Sequence, residues 1–308
     1  MENTRAKTTR NSLILLLTAT IWGMAFVSQS KGMDYMHPFT FNGVRSLIGA
    51  AGILVYILIS RKIAGDKAAK LDWKLNVKAG LLCGIFLTTA STLQQFGIKY
   101  TSVGKAGFIT TLYIIFVPMF GIFLKKKVAP VVWAAAGMAA VGMYLLCMTE
   151  SLRLGAGDIM VFLCAIAFAI QIMTVDHYAA RIDGAVVSCI QFTVCGVVCC
   201  IGALIWGQPT FGQIQEGLGA LLYAGVLSCG VGYTLQIVGQ KGLNPTVAAL
   251  IMSLESVIAT ISGWIAYKIG FLSTDQTLTP RQIAGCVIVF AAVILVQLPP
   301  EWFRFGKK

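Results

Sequence analysis

A carboxylate lies in the middle of an otherwise uncharged stretch of this chain, "ALIMSLESVIATISGWIA" from Ala249 to Ala266. It belongs to Glu255, and one other formally charged residue, Arg45, lies similarly deep inside an apolar run. A charge surrounded by hydrocarbon is costly, so such side chains face a cavity, a partner or water. Glu255 could contact a cationic group of a ligand or take up a proton, and Arg45 could hold a carboxylate by two parallel hydrogen bonds. The alternatives are a structural ion pair between the two, a protonated Glu255 bonded to a neighbouring helix, or a purely anchoring Arg45.

Several polar and aromatic side chains inside the apolar runs could stack on the same ligand or hydrogen-bond to it. Together with the two charged residues, the candidate substrate-binding set is Trp22, Arg45, Gln94, Tyr113, Gln171, Tyr233, Gln236, Glu255 and Trp264. For any single aromatic residue, packing or anchoring at a membrane interface is the competing interpretation, because Trp and Tyr are enriched there.

The elements that position these residues follow from the composition. Of the 308 residues, 57% are hydrophobic and only 12% are charged, and the mean hydropathy is +0.80. A soluble domain carries about 25% charged residues. Apolar runs of roughly 20 residues, the length that crosses a bilayer as a helix, recur along the chain. We therefore predict an all-α integral membrane protein with ten transmembrane helices. The predicted spans are 11–30, 38–59, 77–97, 101–124, 129–148, 155–174, 183–206, 216–239, 243–268 and 279–298. Asn244 and Thr279 are predicted N-caps.

The basic residues outside the spans predict the orientation. With the N-terminus inside, 17 of them fall on the cytoplasmic side and six on the other. This bias predicts a multi-pass protein of the cell membrane with both termini in the cytoplasm. The net charge of +12 is then explained by loops that face anionic lipid, and a nucleic-acid partner is not expected.

An internal repeat is visible when the chain is aligned with itself. Residues 93–121 align with 235–263 at an offset of 142 without gaps, with eight identities in 29 positions. The identical pairs include Gln94/Gln236, Gly97/Gly239, Lys99/Lys241 and Leu112/Leu254, and Tyr113 is equivalent to Glu255. In the earlier helices an offset of 146 pairs Trp22 with Phe168 and Arg45 with Gln191.

The repeat predicts two copies of one five-helix unit, residues 1–150 and 151–308. Because five is odd, the second copy must enter the membrane from the opposite side. Two inverted copies around an axis in the membrane plane are the arrangement that secondary transporters use for alternating access.

Four segments resemble helices of the drug/metabolite transporter superfamily, in its EamA branch: "TATIWGMAFV" (18–27), "RSLIGAAGIL" (45–54), "LYIIFVPMFGIFL" (112–124) and "SLESVIATISGW" (253–264). The resemblance covers nearly the whole chain and implies a ten-helix transporter. Two departures stand out: "KKK" (125–127) replaces the Gly-Glu pair often found at the end of the fourth helix, and Ser256 replaces the Pro that often follows the ninth-helix Glu.

The leading functional hypothesis is a secondary transporter, predicted to be an exporter, of a small organic solute such as an amino acid. The mainly apolar and aromatic interior favours amphipathic, neutral or zwitterionic cargo. The alternatives are a membrane-embedded sensor or partner-binding subunit without flux, and a broad-specificity drug exporter. An ATP-driven pump is not expected because no G-x-x-x-x-G-K-[ST] motif occurs.

An enzyme is not expected, because one deep Glu and one deep Arg provide neither a nucleophile-base pair nor a metal cluster. The nine cysteines lie in apolar spans without a C-x-x-C motif and are predicted to be small hydrophobic residues rather than metal ligands or disulfides. No catalytic residue, metal or cofactor is predicted. Proton coupling through Glu255 is left open, and the sequence does not determine the oligomeric state.

Overall fold

The computed structural model describes residues 2–65, 71–124, 128–147, 155–273 and 275–297. In these ranges the regular elements are helices, and ten long ones form the body of the protein. They are α1 (Glu2–Gly32), α2 (Pro38–Ala64), α3 (Trp73–Ile98), α4 (Val103–Phe123), α5 (Pro130–Cys147), α6 (Ala156–Tyr178), α7 (Gly184–Gly207), α8 (Leu218–Gln240), α9 (Pro245–Lys268) and α10 (Pro280–Gln297). The predicted ten-helix membrane fold is confirmed.

Eight of these helices, all but α5 and α10, are long and apolar enough to cross a membrane. The helices α5 and α10 are apolar, have 18 residues each and pack against each other. At 1.5 Å per residue they reach about 27 Å, close to the thickness of the hydrocarbon core. Helix α1 begins nine residues before its predicted start. The first residues of this helix are polar, so an apolar run does not reveal them. The predicted boundary between residues 150 and 151 lies outside the described residues.

Side-chain caps begin several helices. Asn244 accepts a hydrogen bond from the backbone of Thr246, as predicted for the start of α9. Thr279 accepts one from the backbone of Gln282 at the start of α10, and the Gln282 side chain accepts the Thr279 N–H in return. The cap of α2, which the sequence interpretation missed, is His37, whose Nδ1 accepts the N–H of Phe39.

The helices pack with an approximate twofold symmetry that exchanges the two halves. Helix α2 packs on α7, α4 on α9 and α5 on α10, and each pair joins equivalent helices of the two copies. The remaining large contacts occur in matched sets: α3 packs on α6 and α7, while α8 packs on α1 and α2. Because each copy has five helices, the two copies run through the membrane in opposite senses, as predicted.

Two equivalent helices are interrupted at equivalent positions. The regular geometry of α4 breaks at Leu112, between Val103–Thr111 and Tyr113–Phe123. That of α9 breaks at Ser253 and Leu254, before a second segment, Glu255–Lys268. Leu112 and Leu254 are the same position of the repeat, so the interruption belongs to the five-helix unit itself. Broken helices at the centre of the membrane are where secondary transporters build their binding sites.

Candidate functional site

A small cavity lies between the two halves, at the level where α4 and α9 are interrupted. Eight helices contribute to it, all except α5 and α10. The side chains that line it include Trp22, Gln29, Arg45, Gln94, Tyr113, Phe168, Gln171, Phe192, Cys229, Tyr233, Gln236 and Glu255. Its volume is about 40 Å³, which holds a few water molecules. Pockets for small organic ligands measure about 300–1,000 Å³, so this cavity is too small to hold such a ligand.

Glu255 and Tyr113 meet in the lining of this cavity. The Tyr113 hydroxyl donates a hydrogen bond of 3.0 Å to Oε1 of Glu255. The two residues are equivalent in the repeat, and two equivalent positions can touch only near the axis that exchanges the copies. The side chain of Glu255 is 3% exposed and does not face the membrane. It also occupies the first turn of its helical segment, where the positive end of the helix dipole stabilises a negative charge.

Arg45 lines the same cavity from α2. It is 5% exposed, its guanidinium carbon lies 5.4 Å from the centre of the Phe41 ring, and its Nε–H has no hydrogen-bond partner. The ion pairs among the described residues are Lys31–Asp34 and Lys105–Asp158. Arg45 and Glu255 are therefore not joined by a salt bridge, and the cavity holds a cation and a carboxyl group that do not neutralise each other directly.

Aromatic rings form one wall of the cavity. The ring centres of Trp22 and Tyr233 are 4.5 Å apart, and those of Phe192 and Tyr233 are 5.0 Å apart with an edge-to-face geometry. The Trp22 Nε1–H donates to the backbone oxygen of Ser228 at 3.4 Å, which fixes the indole orientation. Such rings can contact an apolar or cationic group of a ligand.

Glutamine side chains close the cavity on the side where α1 and α3 end. Here Gln95 donates to the backbone oxygen of Gln29 at 3.1 Å, and Gln94 donates to the Thr110 hydroxyl at 3.1 Å. The predicted orientation puts this end outside, so we call Gln94 and Gln95 the outer amides; they tie α3 to α1 and to α4. By helical rise Gln94 lies about 6 Å from the end of α3.

A second set closes the opposite side. Gln171 and Gln236 form a reciprocal pair, with N–O distances of 3.4 and 3.2 Å, and Gln240 donates to the backbone oxygen of Ile172 at 3.3 Å. By the same predicted orientation we call Gln171, Gln236 and Gln240 the inner amides; they tie α8 to α6, the helix pair equivalent to α3 and α1. Gln236 also lies about 6 Å from the end of its helix, so the repeat places equivalent amides at opposite ends of the cavity.

Eight of the nine candidate residues line this one cavity: all except Trp264, which lies half-buried on the second segment of α9. Their roles in binding remain predictions. The sequence interpretation did not single out Phe26, Gln29, Leu87 or Ser91, which also line the cavity. A helical signal for them exists, because Trp22, Phe26 and Gln29 follow one another at four- and three-residue spacing, as do Leu87, Ser91 and Gln94. Such spacing places side chains on one helix face.

Thiols and hydroxyls occupy the space beside Arg45. The Cys195 thiol lies 3.4 Å from the Ser46 hydroxyl and 3.5 Å from that of Ser91, and Cys229 lines the cavity itself. The described cysteines are free thiols. Among the described residues no group of three or more His, Cys, Asp or Glu side chains is placed to hold a metal ion.

Comparisons with known proteins agree with this architecture. The model of the EamA-like transporter family matches the chain twice, over residues 10–148 and 155–298. An uncharacterized transporter from Archaeoglobus fulgidus is 28% identical, with 92% of this chain and 84% of that protein aligned. The uncharacterized transporter YwfM of Bacillus subtilis is 24% identical over 94% of both chains. A solved crystal structure has the same fold, with a TM-score of 0.74, 16% identity and coverage of 96% of this chain and 99% of the other.

Proposed function

The chain belongs to the EamA-like transporter family, and on that premise we propose that it is a secondary transporter that exports a small zwitterionic solute by alternating access. The observation that carries the proposal is the central cavity, in which Arg45 and Glu255 face one enclosed space without pairing with each other. Two opposite charges held apart in a closed site favour a ligand that carries both.

The chemistry of the cavity fits an amino acid or a related metabolite. The Arg45 guanidinium has an unused Nε–H and the geometry to hold a carboxylate by two hydrogen bonds. An ammonium group can bind Glu255, whose Oε1 already accepts the Tyr113 hydrogen bond while Oε2 has no such contact. The rings of Trp22 and Tyr233 then contact the apolar part of the ligand.

Alternating access follows from the two sets of amides. Because the cavity of about 40 Å³ is too small for an organic solute, binding requires that one side open. Separation of α1 from α3 would break the outer amide bonds, and separation of α6 from α8 would break the inner ones. The two movements are equivalent under the inverted repeat, so opening on either side uses the same mechanics.

Glu255 is also the residue through which a proton gradient could drive the cycle. The ionised carboxylate holds the ammonium group of the ligand, and a proton delivered to that carboxylate from outside favours ligand release there. Export is then exchange of one solute for one proton at the same oxygen pair. Tyr113, which donates to Glu255, positions the carboxyl group for both partners.

The test is flux in proteoliposomes. The purified protein is reconstituted into liposomes loaded with one unlabelled amino acid from a panel, and counterflow of the same labelled amino acid from outside is measured with and without a pH gradient. Arg45→Gln and Glu255→Gln should each lower flux more than tenfold, because each removes a charge from a desolvated site. Trp133→Phe, a change on the exposed face of α5, serves as the control and should retain wild-type flux. Glu255→Gln should also abolish the response to the pH gradient.

The alternatives give different results. Binding of a solute without counterflow would indicate a sensor or partner-binding subunit. Transport of many unrelated amphipathic compounds, unaffected by Arg45→Gln, would indicate a broad-specificity drug exporter. Wild-type flux and pH response in Glu255→Gln would refute the assigned role of the central carboxylate.

A further inference from the structure

A polar pocket opens at the end of the bundle where α2 ends and α3 begins, and we call it the basal pocket. Its volume is about 500 Å³, and Arg61, Arg181 and Lys241 line it. Its two carboxylates, Asp72 and Asp183, cap the first turns of α3 and α7 and accept backbone N–H groups there. The two carboxylates are therefore bonded to helix N-termini, while the Arg181 and Lys241 side chains donate to backbone oxygens and keep further N–H donors for an anion.

The cations of the basal pocket come from both halves of the protein and are held near its wall. The Lys241 ammonium donates to the backbone oxygen of Ile182 at 3.2 Å, which leaves two of its three N–H bonds for other acceptors. The Arg181 guanidinium donates to the backbone oxygen of His177 at 3.3 Å and lies 5.9 Å from the centre of the Tyr178 ring.

An apolar crevice between α2 and α8 continues from this pocket into the membrane-spanning region, and we call it the α2–α8 crevice. It measures about 410 Å³. Tyr56, Thr234 and Val238 line both spaces, so the two are contiguous. The hydroxyl of Thr234 donates to a backbone oxygen of its own helix, which leaves no polar group of this residue unsatisfied toward the crevice.

The crevice exists because α2 and α8 touch at one level and diverge at the next. A Cβ atom at Gly49 would lie 2.7 Å from Cβ of Cys229 and 2.8 Å from the backbone oxygen of Gly225, so the helices are in contact there. One turn closer to the basal pocket, a Cβ atom at Gly52 would meet nothing within 4 Å. On the opposite wall, α8 has the wide π-helical geometry over Tyr223–Gly232.

We propose that the basal pocket and the α2–α8 crevice together bind one anionic phospholipid, its phosphate at Arg181 and Lys241 and an acyl chain beside Gly52. A charged pocket alone would suit any small anion, and an apolar crevice alone would suit any lipid. Their continuity selects a molecule with an anionic head and a long apolar tail. Under the orientation predicted from the basic residues, this lipid comes from the cytoplasmic leaflet, where anionic headgroups attract clusters of Lys and Arg.

The bound lipid would join the two halves of the transporter. Helix α2 belongs to the first half and α8 to the second, and α8 also carries Gln236, one of the inner amides. An acyl chain wedged between α2 and α8 would therefore restrain the helix that must move when the inner side opens.

The experiment is native mass spectrometry of the detergent-solubilised full chain, titrated with palmitoyl-oleoyl phosphatidylglycerol and, separately, with the zwitterionic phosphatidylcholine of the same chains. One phosphatidylglycerol should be retained in preference to phosphatidylcholine. Lys241→Gln and Arg181→Gln should each weaken its binding about fivefold, since one cation near a lipid headgroup is worth about 1 kcal/mol. Lys74→Gln, at an exposed cation near the same end of the bundle but outside the pocket, should bind as the wild type does.

The crevice has its own matched pair of variants. Gly52→Leu fills open space in the crevice and should weaken phosphatidylglycerol binding more than tenfold. Gly137→Leu adds the same side chain to an exposed glycine on α5 that also has no neighbour within 4 Å, and should leave binding unchanged. Equal retention of the two lipids, or unchanged binding in Gly52→Leu, would overturn the proposal. If inorganic phosphate stabilises Gly52→Leu as well as the wild type and Lys241→Gln loses that response, the pocket is a site for a soluble anion instead.

Discussion

The two equivalent glycines at the ends of α3 and α8 should respond differently to the same substitution. Gly97 and Gly239 are one position of the repeat, and each packs against the first helix of the opposite half. A Cβ atom at Gly97 would lie 2.8 Å from the backbone oxygen of Gly157 and would also contact Val161. A Cβ atom at Gly239 would lie 2.8 Å from the side-chain carbons of Leu15.

The expected change in the free energy of unfolding depends on whether the atoms that meet the new methyl group can move. An ordinary carbon contact needs about 3.5 Å, so Gly97→Ala must separate the backbones of α3 and α6 by about 0.7 Å, an overpacking that costs about 3 kcal/mol. At Gly239 the obstacle is a side chain, and displacing Leu15 from its rotamer costs about 1 kcal/mol. Both substitutions gain about 1 kcal/mol of helix propensity. We therefore expect Gly97→Ala to lower the free energy of unfolding by about 2 kcal/mol and Gly239→Ala to leave it nearly unchanged.

The assay is thermal unfolding of the purified protein in one detergent, followed by tryptophan fluorescence. Gly97→Ala should lower Tm by about 5 °C, and Gly239→Ala should leave it within about 1 °C. Gly137→Ala, where the new methyl group meets nothing within 4 Å, measures the propensity gain alone and should raise Tm slightly. Equal losses of Tm at Gly97 and Gly239 would contradict this expectation, because they would show that the Leu15 side chain resists displacement as strongly as the Gly157 backbone.

Three further outcomes are expected. Lys105→Ala should lower the free energy of unfolding by about 1 kcal/mol in the same assay. The Asp158 carboxylate loses its 2.6 Å ion pair but keeps hydrogen bonds from the Thr101 hydroxyl and the Gly155 N–H, and Asp158→Asn should cost less. Gln236→Ala should speed the modification of Cys229 by N-ethylmaleimide about tenfold, because loss of the reciprocal amide pair favours inward opening. The rate is measured by peptide mass spectrometry, and an unchanged rate would contradict the role of that pair. A green fluorescent protein fused to the C-terminus should fluoresce and alkaline phosphatase fused there should be inactive, and the reverse pattern would refute the predicted orientation.

Hydropathy and the repeat were sufficient to predict the fold. Continuous apolar runs define helices because the bilayer leaves the backbone no other partner, and the offset of 142 identifies Tyr113 and Glu255 as equivalent positions. That these two side chains touch at 3.0 Å could not be predicted. Counting residues gives the depth of a side chain in the membrane, but lateral position depends on how distant helices pack.

Trp264 illustrates the same limit at the level of one helix. It lies nine residues after Glu255, and at 100° per residue that separation is two and a half turns, which points the two side chains in opposite directions. Composition marked Trp264 as a candidate because it is aromatic and within a span, yet the helical period places it away from the face that carries Glu255. The same period would have identified Gln29 and Ser91 as neighbours of Trp22 and Gln94.

The scaffold is nearly symmetric, whereas the chemistry placed on it is not. The repeat pairs Tyr113 with Glu255 on the axis, and it pairs Arg45 with Gln191, whose buried amide atoms have no hydrogen-bond partner. If the protein works by the proposed alternating access, equivalent backbones make opening on either side mechanically similar. Any preference between inward-open and outward-open states must then come from side chains that differ between the copies. The inner amides include a reciprocal glutamine pair, and the outer amides have no counterpart to it. Under the proposed mechanism this difference lets the two sides close with unequal strength, and a solute that bridges Arg45 and Glu255 would shift the balance by binding the two halves unequally.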